Sequence, residues 1–399
     1  MKILIADDDR ITRQVLEHNL SRWGYDVISA MDGAEAWDAF VKHSDLNLVV
    51  TDWMMPRMNG LELCHRVRGV KRDQHIHIIM LSARDEKKDL LKGMEAGADA
   101  FLTKPLSLME LQAQLRVAER IARLEQNLSE RLSDLTTANE RMKRDLEAAG
   151  RIQRSLLPER APNIRGVRPA WAFQSCDAVA GDMLNVFYLD EHRMGMYILD
   201  VSGHGVQAAL LSVTLSRVLT PFGQYGGILK RPLKVPPYYE VPSVVDVARE
   251  LNQRFPVMEQ SGQFFTFLYG ILEIATGTFR FVRAGHPGPI HISGQNVALF
   301  EEKGGPPIGI FKDAVYQEES FELVPGDYVL TYTDGVIEVT NPEGRMFGLN
   351  KLRQLLEYCP CRDAESAIDE ILRHLGRFAD GTTPNDDLSM LGFTLGRRS

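Results

Sequence analysis

The chain has 399 residues, a formal net charge of −8 and an apolar fraction of 44%. At about 100–200 residues per domain, this length predicts two or three domains. The acidic charge disfavours a large nucleic-acid-binding surface, because binding to phosphates requires clustered lysine and arginine. No run of about 18 apolar residues occurs, so we expect no membrane-spanning helix. The 4 cysteines are scattered, and we expect free thiols in a reducing cytoplasm.

Residues 1–105 alternate short apolar runs with helical patterns. The runs are KILIAD, DVISA, LNLVVTD, HIHIIMLSA and AFLTK. This alternation predicts an α/β domain with a doubly wound parallel sheet, a flavodoxin-like fold. Functional sites in such sheets lie outside the carboxyl ends of the strands. The polar residues expected at these ends are Asp7, Asp8, Asp9, Asp52, Ser82 and Lys104.

Three acidic side chains are expected to meet at this edge of the sheet. Asp7, Asp8 and Asp52 would repel one another unless a cation joins them, and oxygen ligands suit Mg²⁺. A phosphoryl group on one carboxylate would complete such a site, with Lys104 paired to its oxygens and Ser82 donating a hydrogen bond. Lys104 precedes a proline, so the cis form of that peptide bond is accessible.

The segments ILIADDD, VVTDWMMPRMNGLEL, IIMLSA and GADAFLTKPL resemble the receiver domain of two-component response regulators. The resemblance implies that a sensor histidine kinase phosphorylates Asp52. It also implies that Ser82 and Lys104 contact the phosphoryl group, and that Phe101 is the aromatic residue that rotates on activation. The Mg²⁺ ligands implied by the resemblance are Asp7, Asp8, Asp52 and the Met54 carbonyl.

Residues 106–157 lack proline and carry a stripe in heptad spacing, which predicts a parallel dimeric coiled coil. The core positions include Leu128, Leu135 and Met142 at d, and Asn139 at a. One long helix that packs on its own domains is the alternative. Gln114 and Glu125 fall in the same stripe and weaken the coiled-coil interpretation.

Residues 158–399 are rich in strand patterns such as FTFLYGILEI and DYVLTYTDG. Helical patterns occur over 205–219, 243–255 and 349–376. Together they predict an α+β domain with an extensive, mainly antiparallel sheet. Prolines recur through 221–242, so this segment is predicted to be a loop, either a functional lid or an ordered surface insertion.

The same region places acids at strand ends with no basic neighbour. Asp200 and Asp334 end apolar runs, whereas Asp182 and Asp386 lie just before strands. Each alone could be a turn or cap residue, since Asp-Gly is a common turn. Together they would repel one another, and two divalent cations sharing one carboxylate would relieve the repulsion and activate a water for attack on phosphorus. Zinc is disfavoured there, because no histidine or cysteine cluster accompanies the acids.

The segments GDMLNVF, DVSGHGVQAAL, GGPPIGI, PGDYVLTYTDGVIEV and NDDLSML resemble the metal-dependent serine/threonine phosphatases (PP2C-like), most closely the bacterial branch typified by SpoIIE and RsbU. The resemblance implies a β-sandwich flanked by helices. It further implies that Asp200 bridges two Mn²⁺ or Mg²⁺ ions and that the Val201 carbonyl faces one of them. Asp334 and Asp386 would hold the first ion, and Asp182 the second.

One position departs from this branch, which carries an acid where this chain has Asn185. Asn185 supplies no charge, so a second interpretation stays open: a catalytically weak or inactive adaptor that binds a regulatory protein under receiver control. A DNA-binding regulator is disfavoured, because no helix-turn-helix pattern or basic patch follows the receiver.

The sequence thus predicts a receiver domain at 1–120, a helical or coiled-coil linker at 121–157 and a PP2C-like phosphatase domain at 158–399. We expect a cytoplasmic homodimer joined through the linker, which binds neither nucleic acid nor membrane. Phosphorylation of Asp52 would control dephosphorylation of a phosphoserine or phosphothreonine protein. The resemblance points to an anti-sigma-factor antagonist in a partner-switching pathway as the substrate.

Overall fold

The computed structural model describes residues 1–72, 75–83, 92–158, 162–221, 227–257, 262–359 and 361–396. The chain divides into two units, Met1–Asn139 and Glu140–Ser399. No helix in these described ranges combines the length and the apolar composition that a membrane span needs.

A parallel sheet forms the centre of the N-terminal unit. Its strands are β1 (Lys2–Ala6), β2 (Asp26–Ala30), β3 (Leu46–Asp52), β4 (His77–Ser82) and β5 (Ala100–Thr103). Their order is β2-β1-β3-β4-β5, and all neighbours are parallel. The strand order reverses between β1 and β3, so their carboxyl ends form the switch point at which binding sites lie. The predicted doubly wound sheet is confirmed.

Helices cover both faces of this sheet. They are α1 (Arg10–Arg22), α2 (Gly33–Lys42), α3 (Gly60–Gly69) and the start of α4 (Leu108–Arg154). Leu16 of α1 and Leu115 of α4 pack in the core on one face. Phe40 of α2 and Leu63 of α3 pack in the core on the other face. Two apolar layers therefore hold the strand ends in place.

Helix α4 is 47 residues long, and the boundary between the two units falls within it. Its first turns belong to the receiver, since Leu111 and Ala118 are buried there. The predicted seam beyond them is exposed, by 59% at Leu128, 66% at Leu135 and 59% at Met142. A continuous helix is present as predicted, and these three side chains belong to none of the buried cores of the described residues.

Antiparallel strands form the centre of the C-terminal unit. In chain order they are β6 (Val167–Gln174), β7 (Met183–Tyr188), β8 (Arg193–Val201), β9 (Arg231–Pro232), β10 (Tyr239–Glu240), β11 (Phe265–Glu273), β12 (Thr278–Ala284), β13 (Ile290–Ser293), β14 (Asn296–Leu299), β15 (Glu318–Glu322), β16 (Tyr328–Tyr332) and β17 (Leu388–Leu395). Among the described residues they form two five-stranded sheets, ordered β15-β12-β11-β8-β7 and β14-β13-β16-β17-β6, and a small pair, β10-β9. Their alternating side chains let each sheet pack on both faces.

Helices flank the two sheets. They are α5 (Val206–Val218), α6 (Val244–Arg254), α7 (Gly335–Glu338), α8 (Gly348–Tyr358) and α9 (Ala364–Ala379). Ile198 and Leu391 pack between the sheets. Helices α5 and α6 cover the outer face of one sheet, and α8 and α9 cover that of the other. The predicted β-sandwich flanked by helices is confirmed.

Three local predictions need correction. The helix predicted over 349–376 is two helices, because the backbone at Cys359 is extended and Asp363 caps α9. Within 221–242, the described residues include the strand pair β9–β10 rather than loop alone. Cys359 and Cys361 form a disulfide, so the expectation of free thiols is wrong for these two residues. Their Cα atoms lie 5.2 Å apart, within disulfide range. Cys64 and Cys176 are free, as expected.

Candidate functional site

Asp7, Asp8 and Asp52 lie together at the switch point of the receiver sheet. Each offers a carboxylate oxygen, and these oxygens lie within 4.8 Å of one another. Strands β1 and β3 pair with Ala6 opposite Thr51, which brings the residues after Ala6 to the side chain of Asp52. Asp7 is fully buried, Asp52 is nearly so, and Asp8 is exposed. Carboxylates reachable from solvent on one side suit a Mg²⁺ ion that keeps several waters.

Lys104 is the cation of this cluster. Its Nζ lies 3.0 Å from Asp7 Oδ2 and 2.9 Å from Asp52 Oδ2. Burial lowers the pKa of Lys104, but its hydrogen bonds to Asp52 and Asp7 outweigh this and raise the pKa overall. Burial raises the pKa of Asp52, and Lys104 offsets that rise only in part. One lysine faces three carboxylates, so the cluster keeps negative charge that a divalent cation would balance.

The other predicted receiver residues surround this cluster. Ser82 ends β4, is buried, and its backbone carbonyl accepts the Lys104 N–H at 2.8 Å. The peptide bond after Lys104 is cis, as expected. Phe101 is half-buried on β5, and Met54 is exposed two residues after Asp52.

Asp9 has a different position from its two acidic neighbours. Its side chain caps α1 by accepting the N–H groups of Ile11 and Thr12. Its own N–H donates to Asp7 Oδ1 at 2.9 Å. Asp9 therefore begins the helix and helps to orient Asp7, and its carboxylate is not part of the cluster of Asp7, Asp8 and Asp52.

In the C-terminal unit, four aspartates converge at one end of the sandwich. Asp200 lies near the end of β8 and Asp182 just before β7, its neighbour in one sheet. Asp334 follows β16 and Asp386 precedes β17, its neighbour in the other sheet. Because both strand pairs are antiparallel, the end of one strand meets the start of the next. Each sheet thus contributes two acids to the same edge.

Side-chain contacts join the two pairs. The Thr333 hydroxyl donates to Asp182 Oδ2 at 2.9 Å, which connects the loop after β16 to the loop before β7. Asp182 and Asp200 lie close enough for the charge of Asp200 to raise the pKa of Asp182. Asp200 lies on the strand face that carries Ile198, so its carboxylate is on the side between the sheets.

Two close backbone approaches help to bring the acids together. A Cβ atom on Gly335 would lie 1.9 Å from the Asp387 carbonyl oxygen, so only glycine allows the turn after Asp334 to approach so closely. A Cβ atom on Gly181 would lie 3.0 Å from the Val201 carbonyl oxygen. That carbonyl therefore lies against the loop that carries Asp182.

Burial and neighbouring charges raise the pKa values of Asp182, Asp200 and Asp386. Burial, followed by the charge of Asp200, raises the pKa of Asp182 well above its usual value. Burial, followed by the charges of Asp334 and Asp386, raises the pKa of Asp200 to about 7. Burial also raises the pKa of Asp386. Among the described residues, no lysine or arginine forms an ion pair with these four acids. An all-oxygen site with uncompensated negative charge fits Mn²⁺ or Mg²⁺.

The family model described as Stage II sporulation protein E (SpoIIE) matches residues 190–395. The chain belongs to the SpoIIE family. A second model, the response regulator receiver domain, matches residues 3–116. The chain therefore joins a receiver domain to a SpoIIE-type PP2C phosphatase domain.

Two proteins illustrate the resemblance of the receiver part, and one solved domain that of the C-terminal part. A chemotaxis protein CheY homolog of Campylobacter jejuni is 37% identical over 116 residues, which cover 29% of this chain and 89% of that protein. The response regulator MprA of Mycobacterium tuberculosis is 41% identical over 139 residues, 34% of this chain and 59% of MprA. The SiaA-PP2C domain of Pseudomonas aeruginosa has a TM-score of 0.53 at 18% identity, over 64% of this chain and 98% of that domain. The last comparison shows a shared fold.

Sequence reasoning missed Asp387 as a structural part of the SpoIIE-type site. Its Oδ2 accepts the Gly181 N–H at 2.7 Å and the Asp182 N–H at 3.3 Å, and its Oδ1 accepts the Cys176 N–H at 2.9 Å. Asp387 thus holds the loop that presents Asp182. The doubled acid in NDDLSM was the available signal. Successive residues of a strand point to opposite sides, so Asp386 and Asp387 could not both face the same site.

Gln153 was also missed, and it connects helix α4 to the same loop. Its side-chain amide donates to the Ala180 carbonyl at 2.7 Å and accepts the Ala180 N–H at 2.9 Å. It also donates to Ser212 Oγ of α5 at 2.9 Å. Gly150 lies one turn earlier, where a Cβ atom would lie 2.0 Å from the Ala178 carbonyl oxygen. The end of α4 therefore packs directly on the segment that leads to Asp182.

Asn185 does not belong to the aspartate cluster. On β7 it alternates with Leu184 and Val186, which pack between the sheets. Its own face is that of Met183 and Phe187, towards the helices. The neutral side chain at this position therefore removes no charge from the edge at which Asp200 lies.

Proposed function

We propose that this protein is a response regulator whose receiver domain controls a metal-dependent phosphoprotein phosphatase. The observation that carries the proposal is the convergence of four aspartates from two sheets with no ion-pairing lysine or arginine among the described residues. Such a cluster is unfavourable by itself. It becomes useful when divalent cations occupy it.

Each acid has a distinct place in this proposal. Asp200 would contact both ions, since it lies between Asp182 and the pair formed by Asp334 and Asp386. Thr333 holds the Asp182 carboxylate through its hydroxyl. When bound, the ions supply polarisation of phosphoryl oxygens and activation of a water. The chain supplies fixed carboxylates, so little reorganisation is needed during the reaction.

The substrate that we propose is a phosphoserine or phosphothreonine protein, with an anti-sigma-factor antagonist in a partner-switching pathway as the leading candidate. Membership of the SpoIIE family supports this choice. Helix α5 begins directly after the turn that follows Asp200, and its Val206 and Leu210 are exposed by 49% and 64%. A folded protein substrate would cover these apolar side chains as it presents its phosphorylated residue.

The adaptor alternative depended on Asn185. Because Asn185 faces the helices rather than the acids, it gives no reason to expect a weakened metal site. All four acids remain, and we therefore favour the enzyme.

Control by the receiver would start at Asp52. We propose that a sensor histidine kinase phosphorylates it, with Mg²⁺ held by Asp7, Asp8, Asp52 and the Met54 carbonyl. Helix α4 begins in the receiver core and ends against the loop before Asp182. A change in the position of this helix would alter Gln153 and, through Ala180, the placement of Asp182. A difference of a few kcal/mol between two arrangements is enough for such control.

The exposed seam of α4 supports a homodimer. Leu128, Leu135 and Met142 share one stripe, and a second copy of the chain would bury them in a parallel coiled coil with Asn139 in its core. The boundaries proposed for the three parts are 1–120, 121–157 and 158–399. All three would act together in the cytoplasm, without nucleic acid or membrane as partner.

Replacing Asp200 tests the proposed phosphatase activity directly. Asp200→Asn in the full chain is expected to reduce Mn²⁺-dependent dephosphorylation of a phosphoserine antagonist protein by at least about 100-fold, because a fixed charge at the reacting centre is lost. The release of inorganic phosphate is measured. Asp313→Asn, at an exposed acid of the same domain, is the control and should leave the rate unchanged. An Asp200→Asn rate equal to that of the wild type would refute the assignment.

Gly150→Ala tests the contact between α4 and the loop. Alanine favours a helix over glycine by about 1 kcal/mol, but its Cβ would collide with the Ala178 carbonyl oxygen. We expect the ratio of phosphatase rates with and without beryllofluoride, a mimic of the receiver phosphoryl group, to fall to near one. Gly376→Ala in α9, where a Cβ would meet nothing within 4 Å, should keep the wild-type ratio. A normal ratio in Gly150→Ala would rule out this route of control.

Light scattering tests the dimer. The molar mass of the wild type is expected to be twice the chain mass of 44.9 kDa. The double variant Leu128→Lys, Leu135→Lys is expected to have the mass of one chain, because the lysines of two facing helices would repel each other. Met109→Lys replaces an exposed apolar residue outside the seam and should remain dimeric. A monomeric wild type, or a dimeric double variant, would contradict the coiled coil.

A further inference from the structure

A second group of metal-ligating side chains lies in the receiver, at the end of the sheet opposite to Asp52. It contains His75, His77 and Asp99. His77 is the first residue of β4, and Asp99 directly precedes β5, the parallel neighbour of β4. The Asp99 N–H donates to the Ile78 carbonyl at 2.9 Å, which fixes the two chain segments side by side. The amino ends of two strands thus present the three side chains together.

The three side chains are close enough to share one ion. Each offers an atom within 4.8 Å of the other two. His75 Nε2 lies 2.8 Å from Asp99 Oδ1, and His77 Nδ1 lies 3.8 Å from Asp99 Oδ2. The longer distance exceeds that of a hydrogen bond. A cation between the three groups would contact both imidazoles and the carboxylate.

His77 is the buried member of the group and is only 8% exposed. Its Nδ1 faces Asp99, and its other ring nitrogen, Nε2, has no hydrogen-bond partner in the part of the chain that the structure describes. Buried polar atoms are nearly always paired, so an unpaired one needs an explanation.

The surroundings of Asp99 hold its carboxylate in place. Its Oδ2 accepts from Arg68 at 2.6 Å and from the Ile78 N–H at 2.7 Å. The Arg68 guanidinium is itself fixed by the carbonyls of Gly97 and Ile76. Bonds of this kind orient a ligating carboxylate. The positive charge of Arg68 weakens the attraction of Asp99 for a cation. The two imidazoles must therefore provide most of the binding to a metal ion.

We propose that His75, His77 and Asp99 bind one Zn²⁺ ion, with a water as the fourth ligand. Two imidazoles and one carboxylate form a donor set that suits zinc, whereas Mg²⁺ prefers oxygen ligands alone. The ion would replace the hydrogen bond between His75 and Asp99. His75 lines a cavity of about 530 Å³ together with Glu125 and Leu128 of α4.

Calorimetric titration of the full chain with Zn²⁺ tests the site, with Mg²⁺ in excess to occupy the carboxylate clusters. The wild type and His65→Ala, which removes an exposed histidine of α3, are expected to bind one more zinc ion than His75→Ala and His77→Gln. His75 is partly exposed, so its variant is expected to fold and decides the outcome if His77→Gln does not. Equal zinc stoichiometry in the wild type, His65→Ala and His75→Ala would overturn the proposal.

Cobalt gives a second readout that does not depend on enzymatic activity. Co²⁺ in a four-coordinate site with nitrogen ligands has intense visible absorption. We expect these bands in the wild type and in His65→Ala, and their loss in His75→Ala. Identical spectra in all three proteins would also overturn the site.

Discussion

The repulsion among Asp182, Asp200, Asp334 and Asp386 is the constraint on which the rest of the phosphatase domain depends. Apolar packing between the sheets, to which Ile198 and Leu391 contribute, brings the strand ends together. Each fully buried side chain of this kind contributes about 1.5–3 kcal/mol, so the core can hold carboxylates at a separation that they would not adopt alone. Stability from the core thus keeps the four carboxylates together.

Clustered carboxylates occur in both units of the chain, but their charge is compensated differently in each. In the receiver, Lys104 neutralises part of the charge on Asp7 and Asp52. This partial neutralisation suits one cation and a reversibly attached phosphoryl group. In the phosphatase domain no lysine or arginine pairs with the acids among the described residues, which suits two resident cations. Helix α4 contributes to both units, with Leu111 in the receiver core and Gln153 on the loop before Asp182. A change in α4 would therefore reach the loop before Asp182 through Gln153.

Much of the fold followed from sequence patterns, because apolar periodicity decides which faces are buried. The alternation in residues 1–105 predicted the parallel sheet, and acids at strand ends predicted which side chains the topology would bring together. Other features depend on contacts between distant segments. Gln153 and Thr333 have no local pattern that marks them, and the doubled acid in NDDLSM marks Asp387 without giving its role. All three roles arise only when the loop before β7 meets α4 and β17. The orientation of Asn185 likewise required the register of β7 against β8.

Anomalous diffraction at the manganese edge, from crystals of the full chain grown with Mn²⁺, shows whether cations occupy the aspartate cluster. We expect two manganese peaks at the end of the sandwich, enclosed by the four aspartates, with Asp200 adjacent to both. A map that shows no manganese there, with those carboxylates turned towards lysine or arginine side chains, would refute the proposed metal site.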